Sequence, residues 1–344
     1  MIPSPKFLFL TINEVCNLRC QHCRYWESKR RPQVTVRRQL ELIEEFAALS
    51  PCGKVVICGG EPMLDDVAYF AVCATSRRLG LRTLSVVNGT RIRNEREAAH
   101  VVALGPDEVS VSLDHPDPSV HDEIRGTEGS HAAARRALEL LLWAKGRRPY
   151  PRVYAMGLLC RSTSLILNQF YRLVLREIGA DKLKLNAVQP TFLCTRGEGG
   201  QEPEPDAFFA RESQVDPHFL RETLLSCDAE YDLHLNPIWI EQVTSYFQSL
   251  WRVPEEDLQR SWLCGVDTAE HVCDSPNRNI MVDLDGRASL CFSRAFRSEL
   301  LSEPGDIRRF WEGADDVREE MLTCNRLCGI SHSVRRASAT RTSP

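Results

Sequence analysis

KFLFLTINEVCNLRCQHC (residues 6–23) joins an apolar run to a loop that holds Cys16, Cys20 and Cys23. Lys6–Ile12 reads as a first β-strand, because short β-branched and aromatic runs of this length suit a buried strand. The loop then packs three oxidisable thiols into eight residues. Three chemistries use such a loop: a disulfide framework, a zinc site, or an iron–sulfur cluster with one iron left free of protein.

The disulfide reading is the weakest. A chain of 344 residues buries about 75% of its unfolded surface and needs no covalent staples. The apolar patch Phe7–Leu10 is too short for a signal-peptide core, and no small-residue cleavage site follows it. No apolar run reaches the ~20 residues of a membrane span. The 14 cysteines therefore imply a reducing compartment, and a cytoplasmic location is expected. Formal charge is −4, with 43 basic and 47 acidic residues mixed along the chain. That balance argues against a nucleic-acid surface.

Outward from the loop, strand and helix patterns alternate. Further strands are expected at 54–60, 82–89, 107–114, 152–160 and 182–188. Helices are expected after Thr35 as N-cap (Leu40, Ile43, Phe46 and Ala47 inward), at 67–79, 91–103 and 131–146 (Ala134, Leu138, Leu141 and Leu142 inward), and around Leu167–Ile178. Such alternation predicts an α/β fold whose parallel sheet curls into a partial barrel, with ligands at the C-terminal strand ends. Beyond residue 190 the Gly- and Pro-rich RGEGGQEPEPD (196–206) reads as a linker or long loop. Helices are expected at 216–229, 238–250 and 306–322. NIMVDLDGRASLC (279–291) reads as a hairpin turning at Asp285-Gly286.

A structural zinc ion wants four protein ligands, and its sites favour Cys-x₂-Cys pairs. Cys16-x₃-Cys20-x₂-Cys23 offers three thiols and spaces the first two by three residues. Spacing thus favours a 4Fe–4S cluster with one open iron, while zinc and simple packing stay open.

With neighbouring segments in place, the chain resembles the radical S-adenosylmethionine (SAM) superfamily. The three-cysteine loop follows a first strand. GGEP (59–62) ends the second strand and resembles the motif that meets the SAM amino group. NGT (88–90) ends the third. VSLDHPDPSVHDEIRG (111–126) resembles the Ser-x-Asp-Gly…His-Asp-x-x-Arg-Gly stretch of the peptide- and metabolite-modifying branch, with His115 where relatives often have Gly. The likeness covers about residues 5–190. It implies a partial (β/α)6 TIM-like barrel, a cluster on Cys16, Cys20 and Cys23, and SAM contacts from His22, Gly59, Gly60, Glu61, Pro62, Asn88, Ser112 and Arg125. Glycines 59 and 60 would let backbone approach the ligand. Glu61 would accept from the SAM ammonium, and Arg125 would grip the carboxylate through its planar fork. His22 would stack beside the adenine.

Cys273, Gly286, Cys291, Cys324 and Cys328 resemble the C-terminal SPASM or shorter twitch extension, with Cys264 as an alternative ligand. Four cysteines suffice for one auxiliary 4Fe–4S cluster, and a zinc knot is the bland alternative. The implied layout is a radical SAM core at 1–195, a linker and helical connection at 196–262, an auxiliary-cluster extension at 263–332 and a disordered tail at 333–344. Cys52, Cys58, Cys73 and Cys227 are expected to pack in the core. Cys160 and Cys194, after the fifth and sixth strands, are candidate hydrogen-atom donors.

The resemblance implies that a flavodoxin or ferredoxin reduces the first cluster. SAM is then cleaved to methionine and a 5′-deoxyadenosyl radical, which takes a hydrogen atom from substrate. The first strand lies near Met1, with nothing ahead of it that reads as a peptide-recognition module. With one auxiliary cluster, this leans toward net oxidation of a sugar-like or aminocyclitol intermediate. Maturation of a ribosomal peptide by cross-linking or epimerisation is the alternative within the family. A non-catalytic iron–sulfur or zinc redox protein is the alternative outside it.

Overall fold

The computed structural model describes residues 3–28, 32, 34–190, 206–251, 253–259, 271–292, 297–322 and 333–335. Seven strands run parallel: β1 (Phe7–Asn13), β2 (Lys54–Gly59), β3 (Arg82–Val87), β4 (Glu108–Ser112), β5 (Arg152–Leu159), β6 (Lys182–Ala187) and, from the far end of the chain, Asn279–Val282. The last pairs with β1, Phe7 opposite Asn279. The antiparallel strands Arg287–Ser289 and Glu299–Leu300 then extend the sheet. The order is Glu299–Leu300, Arg287–Ser289, Asn279–Val282, β1, β2, β3, β4, β5, β6, so the two edges do not meet and the barrel stays partial.

The strands form where alternation put them, because each buries one face under helices. Leu8, Leu10 and Ile12 of β1, Val55 and Ile57 of β2, and Val109 and Val111 of β4 all lie at 2% exposure or less. Over them pack α1 (Val36–Leu49), α2 (Asp66–Arg78), α3 (Glu95–Leu104), α4 (Pro118–Arg125) and α5 (Ser130–Lys145). Thr35 caps α1 by accepting from Arg38 N–H at 3.2 Å. Gln39 and Leu42 join Ile43 and Phe46 on its buried face, while Leu40 and Ala47 sit at the margin. In α5, Ala134, Leu138 and Leu141 are buried, and Leu142 lies at the margin. Leu167, Phe170, Tyr171, Val174 and Ile178 are buried as their spacing predicts.

The expected hairpin is present, with Gly286 at φ +75° in its turn. Its first strand joining β1 was not expected. Four further differences have local causes. The stretch 306–322 breaks into Asp306–Gly313 and Asp315–Met321 at Ala314. Residues 333–335, read as part of a disordered tail, pair with His271–Cys273 as a strand, because backbone partners are available there. Helix α4 lies within a segment read only as a motif. Cys52, expected in the core, is exposed in the turn after α1; Cys73 and Cys227 are buried and Cys58 is half-buried. No helix of the described residues is long and apolar enough to cross a membrane.

Candidate active site

The cysteine loop leaves β1 at its C-terminal end and lies across the mouth of the barrel. Much of its surface is open: Val15, Asn17, Arg19 and Gln21 are exposed. Its shape is therefore imposed by bonds from other strand ends. Gly60 N–H donates to the Asn13 carbonyl at 3.1 Å and Glu61 N–H to the Val15 carbonyl at 2.8 Å. Asn13 returns a bond from Nδ2 to the Glu61 carbonyl at 3.1 Å and accepts Val15 N–H at 3.1 Å. From β3's end, Asn88 Nδ2 donates to Asn17 Oδ1 at 2.8 Å, and Asn17 Nδ2 to Thr90 Oγ1 at 2.9 Å. From the end of α4, the carbonyls of Arg125 and Ile124 accept Arg19 and Gln21 N–H at 3.1 and 2.9 Å.

The quoted motifs thus act first as clamps on this loop. A Cβ on Gly60 would stand 2.4 Å from the Val15 carbonyl oxygen. The space its missing side chain leaves is taken by the chain's own loop. Gly126, at φ +59°, lets the Arg19 carbonyl pass equally close. Glu61 is 1% exposed. Its carboxylate accepts Met63 N–H at 3.1 Å and Asn88 N–H at 2.6 Å. Burial pushes its pKa up to about 7. Oε1 thus holds the turn at Pro62, and Oε2 ties the end of β2 to the end of β3. Asn88 is similarly committed, its Oδ1 accepting Thr90 N–H and Oγ1 at 3.0 and 2.7 Å. Pro62 is buried at the start of the short turn Pro62–Leu64. Ser112 pairs with Met156 through the β4–β5 ladder, and its hydroxyl makes no hydrogen bond to the described residues.

The segment 111–126 resolves into physical parts. His121 and Arg125, four apart on α4, share a face turned toward Asp114. His121 Nδ1 accepts Asp114 N–H at 3.0 Å, and Asp122 instead organises the start of α5 through Gly129 N–H, His131 N–H and Ser130 Oγ. Arg125 donates from Nε to Asp114 Oδ2 at 2.5 Å and from Nη1 to Cys20 Sγ at 3.8 Å. Asp114, 2% exposed, also accepts Leu158 N–H at 3.1 Å. Burial opposes the Arg125 cation, but Asp114 and Cys20 outweigh it and raise its pKa. Burial likewise opposes the Asp114 anion, yet Arg125 leads the charges that hold it below the carboxylate range. Arg125 thus pairs with neither Asp122 nor Glu123. Asn13 and Asn17 went unread in the sequence, where a polar residue beside a loop carries no distinguishing pattern.

Burial pushes the Cys16 thiol up to about 11 and the Cys23 thiol to about 12, and raises that of Cys20; Cys20 further raises both of the others, and Cys16 raises Cys23. Without a cation they stay protonated, so any metal bound by this loop must displace protons. Among the described residues no three Cys, His, Asp or Glu side chains converge on one metal ion. A cluster asks for one thiolate per iron corner instead, and three clustered thiols on a clamped loop fit that demand. His22 lies beside them, its ring 5.9 Å from that of Phe208. Burial lowers its pKa to about 4, and its buried Nδ1 has no hydrogen-bond partner among the described residues.

Cys160 directly follows β5. It is fully buried and caps the short helix Arg161–Ser164, with Sγ 3.2 Å from Ser162 Oγ. Cys273 and Cys291 are half-buried against the core. Cys194, Cys264, Cys324 and Cys328 lie outside the described residues.

Residues 10–152 match the family model described as "Radical SAM superfamily". The AdoMet-dependent heme synthase of Oleidesulfovibrio alaskensis is 29% identical over 143 residues, 40% of this chain and 36% of that protein. Mycofactocin maturase MftC of Mycobacterium ulcerans is 34% identical over 142 residues, 41% of this chain and 37% of that protein. The matches thus span well under half of these relatives. Streptococcus suis SuiB, solved with S-adenosylmethionine, shares the fold with a TM-score of 0.60 at 12% identity, covering 86% of this chain and 63% of SuiB.

Proposed function

We propose that this chain, a radical SAM protein by virtue of residues 10–152, cleaves S-adenosylmethionine and abstracts a hydrogen atom from a bound substrate. The observation that carries this reading is the three-thiol loop clamped by all three neighbouring motifs. A 4Fe–4S cluster on Cys16, Cys20 and Cys23, reduced by a flavodoxin or ferredoxin, would supply the electron that cleaves SAM.

The chain's own residues then have definite tasks. The clamps hold the thiols in one arrangement. Arg125 spends Nε and Nη1 on Asp114 and Cys20, which leaves Nη2 for the SAM carboxylate. Gly59 and Gly60 offer backbone groups at the end of β2. Ser112, with an unspent hydroxyl, suits a ribose or carboxylate contact. Phe208 and His22 wall the mouth and exclude water from a reactive intermediate. Asn88 and Glu61 position the loop rather than touch the ligand.

For the substrate we favour a ribosomal peptide. MftC is a maturase, and SuiB has been solved with its precursor peptide SuiA at a TM-score of 0.59. Cys273 and Cys291, with partners from Cys264, Cys324 and Cys328, would hold an auxiliary 4Fe–4S cluster that accepts the substrate's electron and makes the reaction an oxidation. The test is oxygen-free reconstitution, then SAM and dithionite, with 5′-deoxyadenosine as readout. Its absence from chain carrying full iron and sulfide would favour a non-catalytic redox protein. Peptide and aminocyclitol panels in the same assay separate the two substrate classes.

A further inference from the structure

We propose that Arg125, aimed by Asp114, sets the reduction potential of the cluster through a charge-assisted N–H···S bond to Cys20. This rests on the reading that Cys16, Cys20 and Cys23 hold a 4Fe–4S cluster. The geometry has three parts. The Arg125 side chain is 11% exposed and that of Asp114 3%, so their charges act through little water. Asp114 is itself fixed, by Leu158 N–H on Oδ1 and by His121 on its backbone N–H. The guanidinium therefore has little freedom to turn away, and its Nη1 reaches Cys20 Sγ at 3.8 Å.

Reduction adds one electron, and one negative charge, to the cluster and its thiolates. A cation held against one of those sulfurs favours the reduced form, and hydrogen bonds to the sulfurs act in the same direction. Asp114 works against it in part, because its own charge lies on the same guanidinium. Arg125 is thus a tuning residue, and Asp114 its positioning residue.

The experiment is a mediator titration of reconstituted full-length chain, followed by electron paramagnetic resonance in the absence of SAM. The parent, Arg125→Gln, Arg125→Lys and Asp114→Asn are compared at matched iron and sulfide content. Arg125→Gln should lower the midpoint so that the reduced fraction at fixed potential falls at least tenfold, about 59 mV for one electron. Arg125→Lys, which keeps the charge, should lie closer to the parent. Asp114→Asn puts an NH2 against either Arg125 Nε–H or Leu158 N–H, because both Asp114 oxygens are acceptors. The guanidinium then loses its aim, and the midpoint should fall, by less than in Arg125→Gln. A merely structural role would instead lower cluster content in all three variants with no ordered shift in potential. Midpoints equal to the parent in loaded Arg125→Gln, or a rise in loaded Asp114→Asn, overturn the proposal. If Arg125→Gln takes up no cluster, the graded falls expected of Arg125→Lys and Asp114→Asn decide it. A parent chain that binds only zinc overturns the cluster reading itself, and this inference with it.

Discussion

Replacing Gly60 with alanine tests whether the cysteine loop is clamped by direct backbone contact. An ideal Cβ would stand 2.4 Å from the Val15 carbonyl oxygen, 2.6 Å from its carbon and 3.0 Å from the Glu14 carbonyl carbon. These are backbone atoms, so no flexible side chain can swing aside. Relief to ordinary contact needs roughly 1 Å of movement of Val15, a typical overpacking problem costing about 1–3 kcal/mol. The same movement stretches the 2.8 Å bond from Glu61 N–H to Val15 beyond useful length, adding about 0.5–1.5 kcal/mol. The expected loss is about 2–4 kcal/mol, enough to weaken the chain without unfolding it. Cys16 follows Val15 directly, so iron uptake should fall to less than half. Gly80 is the control: at φ +74° with nothing within 4 Å of a Cβ, Gly80→Ala carries only backbone strain of about 1–2 kcal/mol and should load iron normally. Urea unfolding of the metal-free chain and iron per chain after reconstitution are the two assays. A Gly60→Ala variant with the parent's midpoint and full iron would refute the clamp.

Other perturbations have equally definite outcomes. Burial lowers the His121 pKa from the usual 6.5 to about 4. Its contribution to stability is therefore complete above pH 6.5 and is lost as pH falls toward 4, about 3 kcal/mol at most; His121→Gln should flatten that stretch of a stability–pH curve measured by urea melts. Lys145 holds Asp181 at 2.6 and 2.7 Å, and Asp181 also accepts Val153 N–H at 2.7 Å. Lys145→Met strands that carboxylate and should cost about 2–3 kcal/mol, less than a fully buried pair because the Asp181 side chain is 21% exposed. Cys160→Ala keeps the backbone bond to Thr163 Oγ1 and loses only the Sγ contacts to Ser162 Oγ and Thr163 Oγ1, so it should cost about 0.5–1.5 kcal/mol and leave 5′-deoxyadenosine formation at the parent's rate. Cys20→Ala should abolish both the iron and the deoxyadenosine.

The barrel strands were legible because each alternates under helices, and Leu8, Val55 and Val109 carry that pattern openly. The first cysteine loop was legible from spacing. What spacing could not show is direction. Glu61 looks in sequence like a ligand contact at a strand end, but the turn at Pro62 folds its carboxylate back onto Met63 and Asn88. Cys160 looks like a thiol at the barrel mouth, but the following Arg161–Ser164 helix turns it into a cap. The strand Asn279–Val282 read correctly as half of a hairpin, yet its partner β1 lies some 270 residues away, and no local pattern encodes that pairing.

The three distant clamps also explain why the motifs must occur together. An exposed loop loses much conformational entropy when ordered, and this loop buries little apolar surface of its own beyond Leu18. Its order comes from Gly60 and Glu61 on one side, Asn88 above, and Arg125 with Gly126 on the other. Removing any one frees a backbone segment adjacent to a thiol. Metal that binds three thiols at once binds the clamped state better than a loosened one, so iron loading and loop order stabilise each other. Loading should therefore raise the thermal midpoint of the parent, and raise it more in Asn88→Ala, whose loop is looser beforehand but reaches a similar state when loaded. Equal shifts in both proteins would mean that Asn88 does not order the loop, and that the bonds through Asn17 and Thr90 are incidental to cluster binding.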